Sequence, residues 1–323
     1  MASSDEAIQL DTAGAPAASS AGVICVGDVH GNLTELEALW AVLHEHLGEE
    51  RLRQTTVLFL GDYCDRGPNT RGVLDWLIHL RDERRRQDVP CAPVHFILGN
   101  HDFGFAAFIG CLPISGPPPL DLDATQNPRD KEGFWPHPVE HGGMHYQGRR
   151  WGALRSYNSG ATLKSYGVAP DFRMPPRMRE ELVAAVPQAH RDFLAELQWV
   201  RDEPIGWPPG RLICVHAGLY SSRPAAVQLD RLHARDLSAS VLHEGADTGR
   251  IAALSGRQDV LSMPPDLVGK AMVVSGHHGF MDLAHGGDPN RVVLDRGAGV
   301  PGRPLAAVLL PERTVLSSDG SVE

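Results

Sequence analysis

Three stretches of the sequence combine aspartate, histidine and asparagine with glycine at spacings that suit a divalent cation. They read Gly27-Asp28-Val29-His30-Gly31-Asn32, Gly61-Asp62-Tyr63-Cys64-Asp65-Arg66-Gly67-Pro68 and Gly99-Asn100-His101-Asp102. Carboxylate, imidazole and amide groups all bind such ions, and glycine lets the backbone approach closely. A carboxylate such as that of Asp62 has two oxygens and can bridge two cations. Taken singly, each stretch also has an ordinary explanation, as a turn, a surface Asp-Arg pair or a structural histidine.

Two further histidine stretches occur downstream. They read His216-Ala217-Gly218 and Gly276-His277-His278-Gly279. An isolated histidine in such a place is more often structural than a ligand. All five stretches, however, directly follow short apolar runs, and a shared metal centre explains that coincidence better than chance placement does. The sequence therefore predicts one metal centre assembled from five loops.

The elements that must position these loops alternate between strand and helix. Three apolar runs, at Val23–Val26, Thr56–Leu60 and Val94–Leu98, are each followed by apolar residues at helical spacing. Repeated strand-helix units predict a parallel sheet flanked by helices, with ligand loops at the carboxyl ends of its strands.

The C-terminal half predicts a helix around Arg179–Val200, followed by four short strands. The strands are expected at Leu212–Val215, Met272–Ser275, Val292–Leu294 and Leu305–Leu310. The close spacing of the last three favours antiparallel pairing in a second sheet. We therefore predict an α/β fold, an α/β/β/α sandwich of two mixed sheets flanked by helices.

Composition predicts the domain organisation. Residues 1–22 are rich in alanine and serine without apolar periodicity, which predicts a disordered tail. Residues 23–323 are expected to form a single catalytic domain. Between about 111 and 176 that domain carries a segment rich in proline, glycine and aromatic residues, which predicts an irregular insertion.

Charge and cysteine content restrict the partners and the compartment. The formal net charge of −10 disfavours nucleic acid, because no basic field is present to hold a polyanion. Five widely separated cysteines without zinc-type spacing indicate reduced thiols. No apolar run is long enough for a signal peptide or a membrane span. We expect a soluble protein of the cytoplasm or nucleus, and the oligomeric state stays open.

The order of the motifs resembles the phosphoprotein phosphatase branch of the calcineurin-like metallophosphoesterases, and it extends from Gly27 to Gly279. A closer resemblance, to the Rhizobiales-like phosphatases, rests on five stretches. They are Gly61-Asp62-Tyr63-Cys64-Asp65-Arg66, Gln147-Gly148-Arg149-Arg150-Trp151, Ser165-Tyr166-Gly167-Val168, Leu254-Ser255-Gly256-Arg257 and Val274-Ser275-Gly276-His277-His278-Gly279.

The resemblance implies two divalent cations per chain, which are manganese, iron or zinc, with manganese expected to support activity in vitro. Asp28 and His30 would bind the first metal, and Asp62 would bridge both. The second metal would be completed by Asn100, His216 and His277. Two cations about 3.5 to 4 Å apart can share a water, which would attack the phosphorus directly.

The resemblance also implies the residues that act on the substrate. His101, oriented by Asp65, would protonate the leaving oxygen, and Arg66 would clamp the phosphate in a bidentate manner. Asn100 would contact the substrate as well as the metal. Arg257 is the candidate for a second phosphate clamp, with Arg235 as the alternative.

The expected substrate is phosphotyrosine in a protein, because the Rhizobiales-like group is associated with that preference. Two departures from the usual serine/threonine phosphatase pattern, Cys64 in place of valine and Asp102 in place of glutamate, agree with it. A raised wall around the metals would favour the longer phosphotyrosine side chain, and the insertion between Cys111 and Pro176 is the candidate for that wall.

Several insertion residues are candidates for reading the substrate. Arg149 and Arg150 would meet acidic or phosphorylated neighbours, although solvated arginines are an equal alternative. Aromatic side chains there would pack on the substrate ring or merely anchor the loop; these are Trp135, Tyr146 and Trp151. The three histidines of the segment are interpreted as loop residues; these are His137, His141 and His145.

Other functions fit parts of the pattern. A serine/threonine phosphatase or a diadenosine-tetraphosphate hydrolase would use the same fold, and a scaffold that binds partners without catalysis is a more remote alternative. A cysteine nucleophile is disfavoured, because no cysteine precedes a five-residue phosphate loop with an arginine. Cys64 is instead predicted to be a small packed residue.

Overall fold

A computed structural model of the chain describes residues 22–86, 91–112, 144–173, 175–238, 240–242, 250–257, 261–279 and 288–323. Apart from Gly22, the predicted N-terminal tail lies outside these residues. Within them, no helix combines the length and the apolar character needed to cross a membrane.

The first sheet contains five strands, which are β1 (Val23–Val26), β2 (Thr56–Phe59), β3 (Val94–Phe96), β8 (Ala306–Leu310) and β9 (Thr314–Ser317). Their order in the sheet is β3-β2-β1-β8-β9. Strands β1, β2 and β3 run parallel, whereas β8 pairs antiparallel with both β1 and β9. The parallel part confirms the repeated strand-helix units of the N-terminal half.

The second sheet contains four strands in the order β4-β5-β6-β7. They are β4 (Arg201–Pro204), β5 (Arg211–Cys214), β6 (Met272–Ser275) and β7 (Arg291–Val293). Strands β5, β6 and β7 are parallel, and only β4 is antiparallel to its neighbour. The antiparallel pairing predicted for the last three runs is therefore wrong, because β8 leaves this sheet and pairs with β1.

Alternate residues of each strand face opposite sides, and both sides are buried. Val23 and Cys25 of β1 belong to the same buried cluster as Cys214 and Val274 of the second sheet, whereas Ile24 belongs to the cluster that contains the helices. Because both sides of these strands are buried, they read as continuous apolar runs in the sequence. The predicted sandwich of two mixed sheets flanked by helices is confirmed.

Ten helices flank the sheets among the described residues. They are α1 (Leu33–Leu47), α2 (Glu49–Gln54), α3 (Thr70–Arg86), α4 (Asn100–Ile109), α5 (Tyr146–Gly152), α6 (Gly160–Ser165), α7 (Pro176–Ala185), α8 (Gln188–Glu196), α9 (Ala225–Ala234) and α10 (Ala252–Ser255).

The single helix predicted around Arg179–Val200 is in fact two helices, α7 and α8. Proline lacks a backbone N–H and disfavours helical geometry in the residue before it. Accordingly Val186 is extended, with φ −77° and ψ 118°, and α8 begins directly after Pro187. The chain then turns into β4, which the sequence pattern did not indicate.

The insertion predicted to be irregular is partly helical. Residues 113–143 lie outside the described part, but residues 144–173 contain α5 and α6. Helix α5 packs against α4 through Trp151, whose ring lies 5.0 Å from that of Phe105 and 5.1 Å from that of Phe108. Trp151 is fully buried, so this residue of the segment belongs to the core.

Candidate metal centre

Asp62 lies at the centre of a group of histidines that come from distant parts of the chain. It follows β2, and its side chain is only 1% exposed. Its Oδ2 lies 3.4 Å from His30 Nε2 and 3.9 Å from His101 Nε2, while its Oδ1 lies 3.3 Å from His216 Nε2. One carboxylate therefore faces two sets of imidazoles with its two oxygens, as a bridging ligand must.

In each set the candidate ligand atoms are close enough together to bind one metal ion. Candidate ligand atoms of His30, Asp62 and His101 lie within 4.8 Å of one another, and so do those of Asp62, His216 and His277. Around the first set, His30 Nε2 also lies 3.6 Å from Asp28 Oδ2.

The second set gains two close polar contacts. His216 Nε2 lies 3.2 Å from Asn100 Oδ1 and 3.2 Å from His277 Nδ1. The structure thus brings together all six residues predicted as ligands.

The nitrogens of these histidines are directed as metal ligands require. His30 Nδ1 lies 2.9 Å from the carbonyl oxygen of Cys64, and His216 Nδ1 lies 2.8 Å from that of Leu60. Donation to those carbonyls leaves the Nε2 lone pairs facing the centre, an arrangement typical of metal-ligating histidine. His30 Nε2 is buried and has no hydrogen-bond partner. The donor set therefore fits two divalent cations.

The pKa values of the candidate ligands follow from burial and from the charges of neighbouring groups. Burial, reinforced by Asp295, raises the pKa of Asp28 well above its usual range. Burial opposes ionisation of Asp62 as well, but His216 and His101 outweigh it and hold the pKa of Asp62 well below its usual value. Burial, followed by the charge of neighbouring imidazoles, lowers the pKa values of His30 and His277, which favours the neutral form that binds metals.

Much of the site has a left-handed backbone, which non-glycine residues seldom adopt. The φ angles are 48° at His30, 54° at Asp62, 70° at Asp65, 61° at Arg66 and 68° at His277. Residues in such conformations are held there by their surroundings and cluster at functional sites. The clustering supports a functional role for these loops.

Two glycines allow the loops to touch. A Cβ at Gly99 would lie 2.1 Å from Asp62 Oδ1, and a Cβ at Gly276 would lie 2.2 Å from Asp28 Oδ1. No side chain fits at either position. The Gly99-Asn100 and Gly276-His277 pairs therefore bring their ligands beside the carboxylates, as the sequence analysis expected of the flanking glycines.

Asp102 explains how the loop after β2 is held. Its buried carboxylate accepts backbone N–H groups from Asp62 and Tyr63 at 2.8 Å, from Gly99 at 3.0 Å and from Cys64 at 3.2 Å. Burial and then the charge of Asp62 raise its pKa to about 6 in spite of these bonds. The aspartate that departs from the usual glutamate thus fixes the Asp62 loop to α4.

The sequence profile of the calcineurin-like phosphoesterases matches residues 22–282, which include every one of these loops. The chain belongs to that family. Its members work with a dinuclear metal centre, in agreement with the two ligand sets that share Asp62. No curated protein matches the chain at a significant level.

Solved structures similar to this phosphoesterase include enzymes of more than one kind. One is a putative diadenosine tetraphosphatase, with 18% identity, 92% of this chain and 93% of that chain covered, and a TM-score of 0.48. Another is the cold-active protein-tyrosine phosphatase of a psychrophilic Shewanella species, with 14% identity, 94% and 80% covered, and a TM-score of 0.47. At these values the likeness decides nothing about the substrate.

His101 and Asp65 form a dyad at the edge of the phosphoesterase centre. His101 Nδ1 lies 2.7 Å from Asp65 Oδ2, while His101 Nε2 faces Asp62 Oδ2. Both side chains are buried. Such an arrangement orients the imidazole so that Nε2 can deliver a proton to a group bound at the centre.

Arg66 is held against the loop that follows β7. Its Nη1 donates to the carbonyl oxygen of Ala298 at 3.3 Å. That loop is shaped by Asp295, which is 2% exposed and accepts the N–H groups of Gly297 and Ala298 with Oδ1. Asp295 was not among the predicted site residues, although it directly follows an apolar run as the aspartates at the other strand ends do.

The two candidates for a second phosphate clamp differ in their surroundings. Burial is the main cause of the lowered pKa values of His277 and His278, and the charge of Arg257, which is exposed, makes a minor contribution to both. Arg235 instead donates to the carbonyl oxygens of Ala195 and Leu197 at 3.0 and 3.1 Å. Because the guanidinium of Arg235 is bound to these carbonyls at the end of α8, Arg257 stays the predicted second clamp.

The insertion residues predicted to read the substrate differ in their exposure. Trp151 is fully buried, which agrees with the alternative that it anchors the segment, and Arg149 is 5% exposed, so it is not a solvated arginine. Arg150 is partly exposed and lies 5.9 Å from the centroid of the Tyr157 ring. The side chains of Trp135, Tyr146, His137 and His141 lie outside the described residues.

His145 and Cys64 are buried residues whose surroundings indicate a role in the fold. His145 is buried, and its Nδ1 accepts the N–H of Gln147 at the start of α5. Cys64 is fully buried, and burial raises the pKa of its thiol well above the usual value. A neutral, inaccessible thiol agrees with a packed residue and with the absence of nucleophilic chemistry at this position.

A fully buried arginine ties together the two loops that carry His216 and His277. Arg291 Nη2 donates to the carbonyl oxygen of Ala217 at 3.0 Å and to Ser275 Oγ at 2.7 Å. Ala217 follows the first histidine directly, and Ser275 lies two residues before the second. Burial lowers the pKa of Arg291 to about 10, so the guanidinium stays charged at neutral pH.

Replacing Arg291 with methionine should destabilise the protein by about 2 to 4 kcal/mol, because buried hydrogen-bond acceptors lose their donor. The second metal should also bind more weakly, since its loops lose their common anchor. Thermal unfolding and the manganese content after dialysis measure both effects. Arg173→Met is the control, because that side chain is 86% exposed. An unchanged melting temperature would refute the anchoring role.

Removal of metal should lower the stability of the whole domain. Buried carboxylates and imidazoles are costly to keep without a cation, and a ligand at 100 times its Kd stabilises the folded state by about 2.7 kcal/mol. We expect a chelator to lower the melting temperature by a few degrees and manganese to restore it. In His216→Ala the response to manganese should shrink; a response equal to that of the wild type would exclude His216 as a ligand.

Proposed function

We propose that the chain is a metal-dependent protein phosphatase that hydrolyses phosphate monoesters, with phosphotyrosine in proteins as its substrate. The observation that carries the proposal is the position of Asp62, whose two oxygens face two imidazole sets while the His101–Asp65 dyad faces the same carboxylate. A bridging ligand beside an oriented proton donor is the arrangement that phosphoester hydrolysis requires.

The residues divide the work as follows. One cation would be held by Asp28, His30 and Asp62, and the other by Asp62, Asn100, His216 and His277. When bound, the cations supply Lewis acidity that activates the attacking water and neutralises charge on the phosphoryl oxygens. The ligand side chains are buried or half-buried. Their positions decide where the cations would neutralise that charge.

The reaction consumes one water per phosphate ester. The water oxygen forms a bond to phosphorus as the bond between phosphorus and the leaving oxygen breaks. The Nε2 proton of His101 passes to that oxygen, and a proton from the water restores the imidazole, so the products are an alcohol or phenol and inorganic phosphate. Arg66 would hold the phosphoryl oxygens through its guanidinium.

The preference for phosphotyrosine is supported by the motif resemblance to the Rhizobiales-like phosphatases. A phosphotyrosine phosphate lies farther from the peptide backbone than a phosphoserine phosphate, so a raised wall around the metals would favour it. Arg150, which is partly exposed, is proposed to meet acidic or phosphorylated neighbours of the phosphate, and Arg257, which is exposed, to be the second phosphate clamp.

A metal-supplemented assay tests the proposal. The purified chain is incubated with manganese, iron or zinc and with phosphotyrosine peptides, phosphothreonine peptides and diadenosine tetraphosphate, and released phosphate is measured. The expected result is the highest kcat/KM for the phosphotyrosine peptides. A preference for phosphothreonine or for the dinucleotide would overturn the assigned substrate. No turnover of any of them by metal-loaded protein would overturn the proposed function and favour a scaffold.

A further inference from the structure

The carboxylate of Asp65 has partners that the His101 pairing alone does not require. Asp65 Oδ2, which pairs with His101, also accepts the indole Nε1–H of Trp151 at 2.8 Å. Asp65 Oδ1 accepts the hydroxyl of Thr162 at 2.7 Å. Asp65, Trp151 and Thr162 are all fully buried. Both extra donors lie in the segment 144–173, far along the chain from the metal loops.

An indole N–H can only donate a hydrogen bond. Its presence therefore makes Asp65 Oδ2 an acceptor and favours the ionised carboxylate, and the proton between Asp65 and His101 then belongs to Nδ1 of the imidazole. Burial raises the pKa of Asp65, while its hydrogen bonds to His101, Thr162 and Trp151 oppose that shift. With Nδ1 committed to Asp65 in this way, the orientation of the ring is set and Nε2 faces the centre, where Asp62 Oδ2 lies 3.9 Å away.

Thr162 forms two hydrogen bonds with Asp65, one to its side chain and one to its backbone. Besides donating to Oδ1, its Oγ1 accepts the backbone N–H of Asp65 at 3.0 Å and lies 2.9 Å from Thr70 Oγ1. Asp65 has a left-handed φ of 70°. A residue in that conformation needs surrounding contacts to hold it, and the Thr162 hydroxyl satisfies both its backbone and its side chain.

The position of Trp151 is itself fixed by the helix that carries His101. Its ring packs on Phe105 and Phe108 of α4, and a Cβ at Gly104 would already lie 3.1 Å from it. The ring of Tyr157 also packs against His101, with its centroid 4.9 Å from that of the imidazole in an edge-to-face arrangement. The imidazole and its carboxylate are therefore held by the same small group of packed side chains.

We propose that Trp151 and Thr162 are positioning residues for the proton donor: they hold Asp65 so that the His101 imidazole is oriented with Nε2 toward the leaving oxygen. The inference rests on the proposed function, because it assumes that His101 acts as the acid. It assigns to the described part of the insertion a role in the proton transfer itself. The sequence pattern alone predicts only substrate contacts or loop anchoring for this segment.

The test compares leaving groups. A good leaving group such as p-nitrophenolate needs little protonation, whereas the phenolate of phenyl phosphate depends on it. Trp151→Phe and Thr162→Val should lower kcat for phenyl phosphate about 10- to 100-fold but only a few-fold for p-nitrophenyl phosphate. KM and bound manganese should stay unchanged, and Thr162→Ser should restore most of the loss.

Two controls separate positioning from general damage to the fold. Trp207→Phe removes a buried indole N–H that has no hydrogen-bond partner, and Thr55→Val removes a buried hydroxyl away from the centre. Neither should change the leaving-group dependence. In a His101→Ala background, Trp151→Phe should cause no further loss, since the two residues act through one proton transfer.

Equal losses on both substrates, or a further tenfold loss in the His101→Ala background, would overturn the inference. If the wild-type protein hydrolysed no phosphate ester, the proposed function would fail, and the inference would still be tested by proton NMR of zinc-loaded protein. The Nδ1–H resonance of His101 should lie far downfield in the wild type and move upfield in Trp151→Phe. An unchanged resonance would reject the role of the indole.

Discussion

Asp62→Asn should abolish phosphoester hydrolysis and metal binding together. The carboxylate of Asp62 faces His30 with one oxygen and His216 with the other, and no second residue among those described spans both sets. An amide has a single neutral oxygen acceptor, so it cannot neutralise and bridge two cations. The loss of several kcal/mol of charge stabilisation corresponds to a fall in kcat/KM of at least about 1000-fold.

The measurement combines turnover with metal analysis. Manganese content after gel filtration should fall below one ion per chain, and excess manganese should not restore the activity. Asp230→Asn is the matched control, because Asp230 is an exposed carboxylate on α9. Full metal content in Asp62→Asn would show that the bridging role is misassigned, since the substitution would then have removed nothing that the cations need.

His101→Ala should reduce turnover while leaving the metals and the substrate affinity nearly intact. His101 Nδ1 is committed to Asp65, and Nε2 faces Asp62 Oδ2 at 3.9 Å, which places the imidazole beside the centre. General acid catalysis contributes about 10²- to 10⁴-fold to the rate. Loss of the acid should therefore lower kcat by that factor for phosphotyrosine and phenyl phosphate, and by much less for p-nitrophenyl phosphate.

A steady-state comparison of kcat, KM and manganese content checks this expectation. His79→Ala is the control, because His79 is an exposed histidine on α3. A rise in KM equal to the fall in kcat, with full metal content, would remove His101 from the acid role. A loss of manganese would instead make it a ligand, because it lies in the compact group with His30 and Asp62.

The two substitutions probe different halves of the site. Asp62 acts on the cations, so its loss should affect every substrate equally. His101 acts on the leaving oxygen, so its loss should depend on the leaving group. The Trp151 and Thr162 variants are expected to resemble a weak form of His101→Ala, because their side chains contact Asp65 and not the ligand groups around Asp62.

The sequence by itself predicted the six candidate ligands, and it determined the sheet that carries most of them. Asp28, Asp62 and Asn100 follow β1, β2 and β3, and parallel strands place their carboxyl ends at one edge whatever the rest of the chain does. The strand β1 is found at the predicted residues, because a run buried on both faces is apolar throughout. These features are local, so a short window of residues contains the information.

The tertiary structure decided which remote side chains support those ligands. Trp151 meets Asp65 across 86 residues and Thr162 meets it across 97, and neither contact leaves a periodic signal in the sequence. An apolar run also does not encode the direction of its partner, which is why the antiparallel pairing expected for β6 and β7 was wrong. Contacts between distant segments depend on the packing of the whole chain, and only the folded chain shows the insertion supporting the proton donor.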